Sequence, residues 1–288
     1  MNILKYNLLL IDGTWLIRRQ FFVCNKSIDT ETNKPDKYIV IESFLKSLLK
    51  FIKEFGYYYK VVILFDRGSY RYRSKEYFAE YKKNRVYDDS FKILWEANDS
   101  IIPILRNLGF IVIQIGGLEA DDIAHYYSNF TFKKSIMITT DKDWLLNITK
   151  KCSLYLANSR KNIYFSDIIH KYGSLKNMLY IKCIKGDKSD NICGASLNKD
   201  IIEKILNDWE NKDLYISREK VDILDRNYKI FRLDNILNDD EAIESIKNQE
   251  NLTNIPNQLE ILFNLKNINY VNYFLDIINS YNKAWIYE

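Results

Sequence analysis

The chain has 288 residues, of which 47% are hydrophobic and 28% charged, and its formal net charge is +4. This length fits one large domain or two of ordinary size, and the apolar content is enough for a packed core, which excludes a disordered chain. No apolar run is long enough to span a bilayer, and the opening Met1-Asn2-Ile3-Leu4-Lys5-Tyr6 is too short and too soon interrupted for a secretory signal. Cys24, Cys152, Cys183 and Cys193 show no paired CxxC spacing, and His125 and His170 are the only histidines that could join them. Zinc is therefore not expected, and the cysteines read as buried reduced thiols of a cytoplasmic protein.

In chain order, the apolar run Leu8-Leu9-Leu10-Ile11 predicts a buried strand ending at Asp12. A helical pattern follows from Tyr38 to Phe55, carried by Ile41, Phe44, Leu45, Leu48, Leu49 and Ile52. A second strand, Val61 to Phe65, ends at Asp66 and leads into a charged stretch from Arg67 to Asp89. Phe91, Leu94, Trp95, Ile101, Leu105 and Leu108 predict another helix, kinked at Pro103. Strand Phe110 to Ile115 passes through Gly116-Gly117 into a helix starting near Glu119. Strand Ser135 to Thr139 leads to Asp141, and a shorter strand follows near Ser153 to Leu156. From about Asp167 the pattern is helical. Continuous apolar strands alternating with amphipathic helices predict an α/β fold, a mainly parallel twisted sheet flanked by helices. The expected organisation is an α/β domain over residues 1–166 and a helical region over 167–288.

The carboxylates fall in a pattern. Asp12 and Asp66 each end a strand, Glu119, Asp121 and Asp122 follow the next one, and Asp141 and Asp143 the one after. Ligands of open α/β sheets bind outside the carboxyl ends of the strands, so four parallel strands would deliver all these acids to one edge. Taken singly, an Asp between strand and helix is ordinarily an N-cap, and Asp121-Asp122 could complement a helix dipole. Together they crowd too many negative charges into one place to stay ionised without cations. Hard oxygen ligands with almost no histidine suit Mg²⁺ or Mn²⁺. Asp187 and Asp190, three apart, can share one face of a helical turn. With these acids set aside the remaining chain is strongly basic, which suits a polyanion brought to metal ions, although a mixed soluble surface has the same totals. Between Arg67 and Arg85, Arg71, Arg73, Lys75, Lys82 and Lys83 are interleaved with Tyr70, Tyr72, Tyr77, Phe78 and Tyr81. Such a stretch is either a solvated basic face or a single-strand-binding element with stacking rings.

The blocks Leu10-Ile11-Asp12-Gly13-Thr14, Phe65-Asp66-Arg67-Gly68, Glu80-Tyr81-Lys82-Lys83-Asn84-Arg85, Glu119-Ala120-Asp121-Asp122, Thr140-Asp141-Lys142-Asp143-Trp144 and Gly186-Asp187-Lys188-Ser189-Asp190-Asn191 stand in this order. With that order and spacing the chain, from about Leu8 to Asn191, resembles the 5′ nucleases. That family includes phage 5′-3′ exonucleases and flap endonucleases, the ribonuclease H of T-even phages and the 5′-nuclease domains of bacterial DNA polymerases, and shares a fold like that of PIN domains. The resemblance implies two Mg²⁺ ions, replaceable by Mn²⁺. One would lie among Asp66, Glu119, Asp121 and Asp122 with Asp12 in its outer shell, the other among Asp141, Asp143, Asp187 and Asp190. It further implies that Lys82 and Arg85 reach the scissile phosphate, that Tyr81 stacks on a terminal base, and that Arg19, Arg67, Lys83 and Lys182 lie along the nucleic acid.

The activity implied is 5′-3′ exonuclease, flap endonuclease and primer removal, on DNA with 5′ flaps or nicks and on RNA–DNA hybrids. The protein is expected as a monomer in the cytoplasm, the host's if the chain is phage-encoded. A single-stranded-DNA-binding protein and a sliding clamp are the candidate partners. Two departures from the family stand out. The stretch between Arg85 and Phe91 is short for a closed arch, so a half-open clamp is expected. The hairpin after Asn191 carries a single glycine, Gly194, so duplex binding would rest on Lys199 and Lys204 and no potassium site is expected. The competing readings are a nucleic-acid-binding replication accessory with little or no cleavage, and an aspartyl phosphatase, for which Asp12-Gly13-Thr14 lacks a second acid two residues on.

Overall fold

The computed structural model describes residues 7–24, 37–55, 60–74, 78–88 and 91–252. Strand β1 (Leu8–Asp12) is flanked by β2 (Lys60–Phe65) and β4 (Ser135–Thr139). Outside these lie β3 (Ile111–Gln114) on one side and β5 (Cys152–Leu156) on the other, giving the order β3-β2-β1-β4-β5-β6. The first five strands are parallel, and the short β6 (Lys161–Ile163), which the sequence pattern does not announce, adds to β5 antiparallel. Its residues are too polar and too few to give a strand signal.

The continuous apolar strands have the expected physical cause. In β1, Leu9 and Ile11 enter a core under α1 (Gly13–Cys24), α2 (Lys37–Phe55) and α3 (Phe91–Asn107). Leu8 and Leu10 enter a second core on the opposite face, under α4 (Ala120–Phe130). Side chains alternate between faces, so a strand covered on both sides has no polar position to spare. In α2 the buried residues Val40, Ile41, Phe44, Leu45, Leu48, Leu49, Phe51 and Ile52 form the stripe expected of a 3.6-residue period. Helix α3 runs through Pro103 instead of ending there. Pro103 and Asp99, whose carbonyl loses its partner, are both exposed, so water can satisfy the freed group.

Beyond β6 the described elements are helical: α5 (Phe165–Tyr172), α6 (Leu175–Lys185), α7 (Lys199–Asn207), α8 (Arg218–Phe231) and α9 (Asp240–Glu250), with 3₁₀ turns between them. Helices α6, α7 and α8 enclose a third core in which Tyr180 stacks flat on Trp209, centroids 3.8 Å apart. The chain then returns to the sheet. Ile168, Met178, Ala242 and Ile246 join the second core. At the edge strand β3, the Gln249 side-chain amide imitates a strand partner: it accepts from Gln114 N–H and donates to Gln114 C=O, both at 2.9 Å. No described helix is long and apolar enough to cross a membrane. Cys24, Cys152 and Cys183 are buried, but Cys193 is exposed, with its Sγ 3.1 Å from Arg226, which corrects the expectation of four buried thiols.

The loop after α6 closes on itself. Gly186 has φ +68°, and a Cβ on Gly194 would stand 2.4 Å from the carbonyl oxygen of Lys185. Buried Asn227 ties the two sides together by donating to Cys183 O and Cys193 O at 2.8 Å each. Both clashing groups are backbone and cannot step aside. Gly194→Ala is therefore expected to lower the urea-unfolding free energy by about 1–3 kcal/mol, the range typical of overpacking; wild-type stability would show that this close approach is not maintained.

His125 gives a pH dependence of defined sign. Its Nδ1 lies 2.9 Å from Asn147 Oδ1, and Asn147 Nδ2 donates to Asp121 O, so the imidazole supplies the proton. Burial depresses the His125 pKa below its ordinary 6.5, with Asn147 opposing the shift. The native state thus binds fewer protons here than the unfolded chain. The associated stability is complete above that ordinary value and is lost as pH falls through the depressed one. Between about pH 7.5 and 5.5, the unfolding midpoint of the native protein should fall more steeply than that of His125→Gln. Parallel slopes would remove His125 from the account.

Candidate metal centre

The carboxyl ends of the four adjacent strands β3, β2, β1 and β4 open into one cleft of about 430 Å³. Asp12, Asp66, Glu119, Asp121 and Asp141 line it, together with Arg18, Arg19, Lys82 and Arg85. Local hydrogen bonds hold each acid. Asp12 caps α1, its Oδ1 accepting from Trp15 N–H at 2.8 Å, while its Oδ2 accepts from the Thr139 hydroxyl at 2.7 Å. That hydroxyl also accepts from Asp141 N–H at 3.0 Å, so Thr139 links the ends of β1 and β4. Asp66 accepts from Ala120 N–H at 2.7 Å and so reaches the start of α4. Asp141 caps the 3₁₀ turn Lys142–Asn147 by accepting from Asp143 N–H at 2.9 Å.

A second group stands beside this cleft. Asp143, Asp187 and Asp190 each offer a carboxylate oxygen, and these oxygens lie within 4.8 Å of one another. Asp187 caps the turn Lys188–Asp190 and accepts from Ser189 N–H and Oγ. The donors are three hard oxygens without sulfur or imidazole, a set suited to a hard divalent cation.

Four cationic side chains meet these acids. Lys82 Nζ donates to Glu119 Oε1 at 2.5 Å, Arg85 donates to Asp190 Oδ1 at 2.6 Å, and Lys182 pairs with Asp143. Lys82 has φ +57°, a left-handed backbone uncommon for a residue with a side chain, and its N–H donates to Asp190 O. Such conformations cost about 1–3 kcal/mol and persist where surrounding contacts enforce them. Arg73 is turned inward and 4% exposed, pairing with Glu119, with Asp121 Oδ1 at 3.0 Å and with Asp122 Oδ1 at 2.6 Å.

The electrostatics fit a cation-binding site. Burial, reinforced by Asp66, drives the Asp12 carboxyl well above its usual range, and burial with Glu119 raises that of Asp66. Asp141 stands open to the cleft, yet desolvation by the surrounding protein and the nearby Asp143 raise it too. Glu119 is the exception: burial would raise it, but Arg73 and Lys82 outweigh that and hold it at about 2. Carboxylates pushed upward in this way regain full charge when a cation joins them.

Not every expected residue faces the cleft. Asp122 is 1% exposed, its Oδ2 accepting from Glu119 N–H in a capping box and its Oδ1 held by Arg73. Tyr81 is 7% exposed; its ring is packed in the third core and its hydroxyl lies 3.2 Å from Asp190 Oδ2 and 3.3 Å from both Glu119 carboxylate oxygens. Arg67, Lys83 and Lys199 are exposed and do not line the cleft; Lys83 pairs with Glu80. The basic stretch is also not uniformly a binding face. Arg71 and Tyr72 bind Asp239, and Arg73 is buried, while Lys75, Tyr77 and Asp89 lie outside the described residues. Residues 79–84 form turns. Sequence reasoning gave no role to Arg18 or Thr139 and grouped Arg73 with the substrate-binding cations. The Tyr70-Arg71-Tyr72-Arg73 alternation carries no signal of which side turns inward.

Comparison with known proteins agrees with this geometry. Residues 7–173 match the family model described as 5′-3′ exonuclease, N-terminal resolvase-like domain. The 5′-3′ exonuclease of Buchnera aphidicola subsp. Acyrthosiphon pisum (strain APS) is 27% identical over 256 residues, covering 86% of this chain and 87% of that protein. In fold, the chain is similar to a T5 protein co-crystallized with metal ions (TM-score 0.68, 21% identity, 86% of this chain and 100% of that one). It is also similar to a bacteriophage T5 flap endonuclease in a pseudo-enzyme–product complex with DNA and metal ions (TM-score 0.57, 21% identity, 96% and 99%). With the family model spanning more than half of its length, and four strands delivering acids to one edge of a mainly parallel sheet, the chain belongs to the 5′-3′ exonuclease family.

Proposed function

We propose that this chain is a metal-dependent 5′ nuclease that hydrolyses phosphodiester bonds at DNA flaps and nicks and removes RNA primers. The observation that carries the reading is the convergence of the acids of four strands and the cations Lys82 and Arg85 at one cleft, with the Asp143–Asp187–Asp190 group beside it. Asp66, Glu119 and Asp121 would hold one Mg²⁺ or Mn²⁺, with Asp12, both of whose oxygens are hydrogen-bonded, in its outer shell, and Asp141, Asp143, Asp187 and Asp190 would hold the other. Bound there, such ions supply an activated water and neutralise charge on the phosphate and the leaving oxygen. Asp122, with both oxygens engaged inside the protein, supports the ligands from behind.

The chain's own side chains orient the substrate. Lys82 and Arg85 bring positive charge into the cleft on a backbone fixed by Asp190, so the phosphate meets cations already in place. Arg18 and Arg19 extend the positive wall from α1. The helical region, described as far as residue 252, contributes Asp187 and Asp190, and the exposed Lys199 and Lys204 of α7 would face duplex DNA. A single-stranded-DNA-binding protein and a sliding clamp would meet the enzyme at a replication fork in the cytoplasm.

Cleavage of an end-labelled flap substrate tests the proposal. Chelation with EDTA should abolish it, and Mg²⁺ or Mn²⁺ should restore it. Asp187→Asn removes one proposed ligand and one negative charge, so cleavage should fall by about 10²-fold or more while DNA binding is kept. Full activity in chelator, or parallel loss of binding and cleavage, would overturn the assignment.

Lys82 and Lys83 separate a phosphate contact from general basicity. Lys82 lines the cleft, whereas Lys83 is exposed and paired with Glu80. Lys82→Ala should lower the single-turnover rate by about 10²-fold, comparable to losing one electrostatic donor. Lys83→Ala should change it little. Equal effects would make this stretch an ordinary basic surface.

A further inference from the structure

Arg73 is absent from the lining of the cleft, although it touches three acids at its wall. It binds from behind, taking Oδ1 of both Asp121 and Asp122 and Oε2 of Glu119. A buried guanidinium in this place fixes the rotamers of the carboxylates and offsets their mutual repulsion, so its own position sets where their remaining oxygens point.

The turn that carries Arg73, Tyr70–Ser74, is held from two sides. Its backbone hangs on the loop before α4: Arg71 N–H donates to Gly117 O, Arg67 N–H donates to Leu118 O, and Gly117 N–H donates to Arg67 O. Its side chains are held from the C-terminal part of the described chain. Asp239 receives Arg71 Nε at 2.6 Å, Arg71 Nη2 at 2.8 Å and the Tyr72 hydroxyl at 2.7 Å. Asp239 is also the N-cap of α9, accepting from Ala242 N–H at 2.9 Å. Helix α9 is in turn fixed to β3 through Gln249 and to α4 through the Tyr127–Glu250 hydrogen bond. Burial works against the charge of Asp239, but Arg71 and Tyr72 hold its carboxyl below the usual range.

We propose that Asp239 is a positioning residue for the metal centre: by latching Arg71 and Tyr72 to the start of α9 it holds the turn that presents Arg73 to Glu119, Asp121 and Asp122. This rests on the reading of those acids as metal ligands. The helix that closes the sheet edge thereby acts on the cleft without touching it.

Asp239→Asn is the decisive variant. The amide keeps an oxygen for the α9 cap, but its NH₂ cannot accept from Arg71 Nε or the Tyr72 hydroxyl. Mn²⁺ binding to the DNA-free protein, followed by titration calorimetry, should weaken about tenfold, the scale typical of losing a group that supports metal ligands. Flap cleavage should fall at low Mn²⁺ and recover at high Mn²⁺, while DNA affinity in EDTA stays unchanged. Glu241→Ala, which removes the exposed partner of Arg71, should leave all three unchanged. Should Asp239→Asn fail to fold, Tyr72→Phe, which deletes a single latch bond, decides by showing the same loss of Mn²⁺ affinity in smaller measure. Wild-type Mn²⁺ affinity in the latch variants, with only thermal stability reduced, would leave Asp239 a helix cap and overturn the proposal. A wild-type protein that binds no Mn²⁺ would overturn the metal-centre reading and this inference with it.

Discussion

Like-charge repulsion among the carboxylates at the edge of one parallel sheet is the constraint to which the rest of the structure answers. Asp12, Asp66, Glu119, Asp121, Asp122 and Asp141 cannot all remain ionised in a desolvated cleft without positive charge close by. The fold meets part of that demand itself. Arg73 binds the acids from behind, while Lys82, Arg85 and Lys182 approach from the front. The remainder explains why the cleft suits divalent cations and, beyond them, phosphate.

Capping and ligand geometry are the same interactions here. Asp12, Asp141 and Asp187 each cap the element that follows them, so the reading of such residues as ordinary N-caps is correct as far as it goes. A cap engages one carboxylate oxygen and aligns the other. Local secondary structure thus supplies the rigidity that a metal site requires, at no cost to its donors. Asp12 and Asp122 mark the limit, because in each the second oxygen is taken as well, by the Thr139 hydroxyl and by Arg73.

The helical half completes what the sheet begins. Asp187 and Asp190 arrive from a turn after α6, held by the close approach of Gly186 and Gly194 and by the buried Asn227. Helix α9 closes the edge of β3 and clamps the Arg73 turn through Asp239. Contacts more than a hundred residues apart in sequence therefore converge on the same few carboxylates.

Much of this was legible in the sequence. Apolar runs ending in Asp12, Asp66 and Asp141 determine buried parallel strands whose acids share one edge, because the side-chain period and the rule for parallel sheets leave no other arrangement. The helical stripes of α2 and α3 follow from their spacing in the same way. What tertiary structure decided is which polar groups turn inward. Arg71 and Arg73 are two residues apart in one basic stretch, yet one reaches Asp239 and the other three acids behind the cleft. Tyr81 carries a ring suited to stacking but buries it in the third core. Neither composition nor periodicity encodes these choices, because each depends on a partner supplied by a distant segment, and a charged side chain can be buried only where such a partner waits for it.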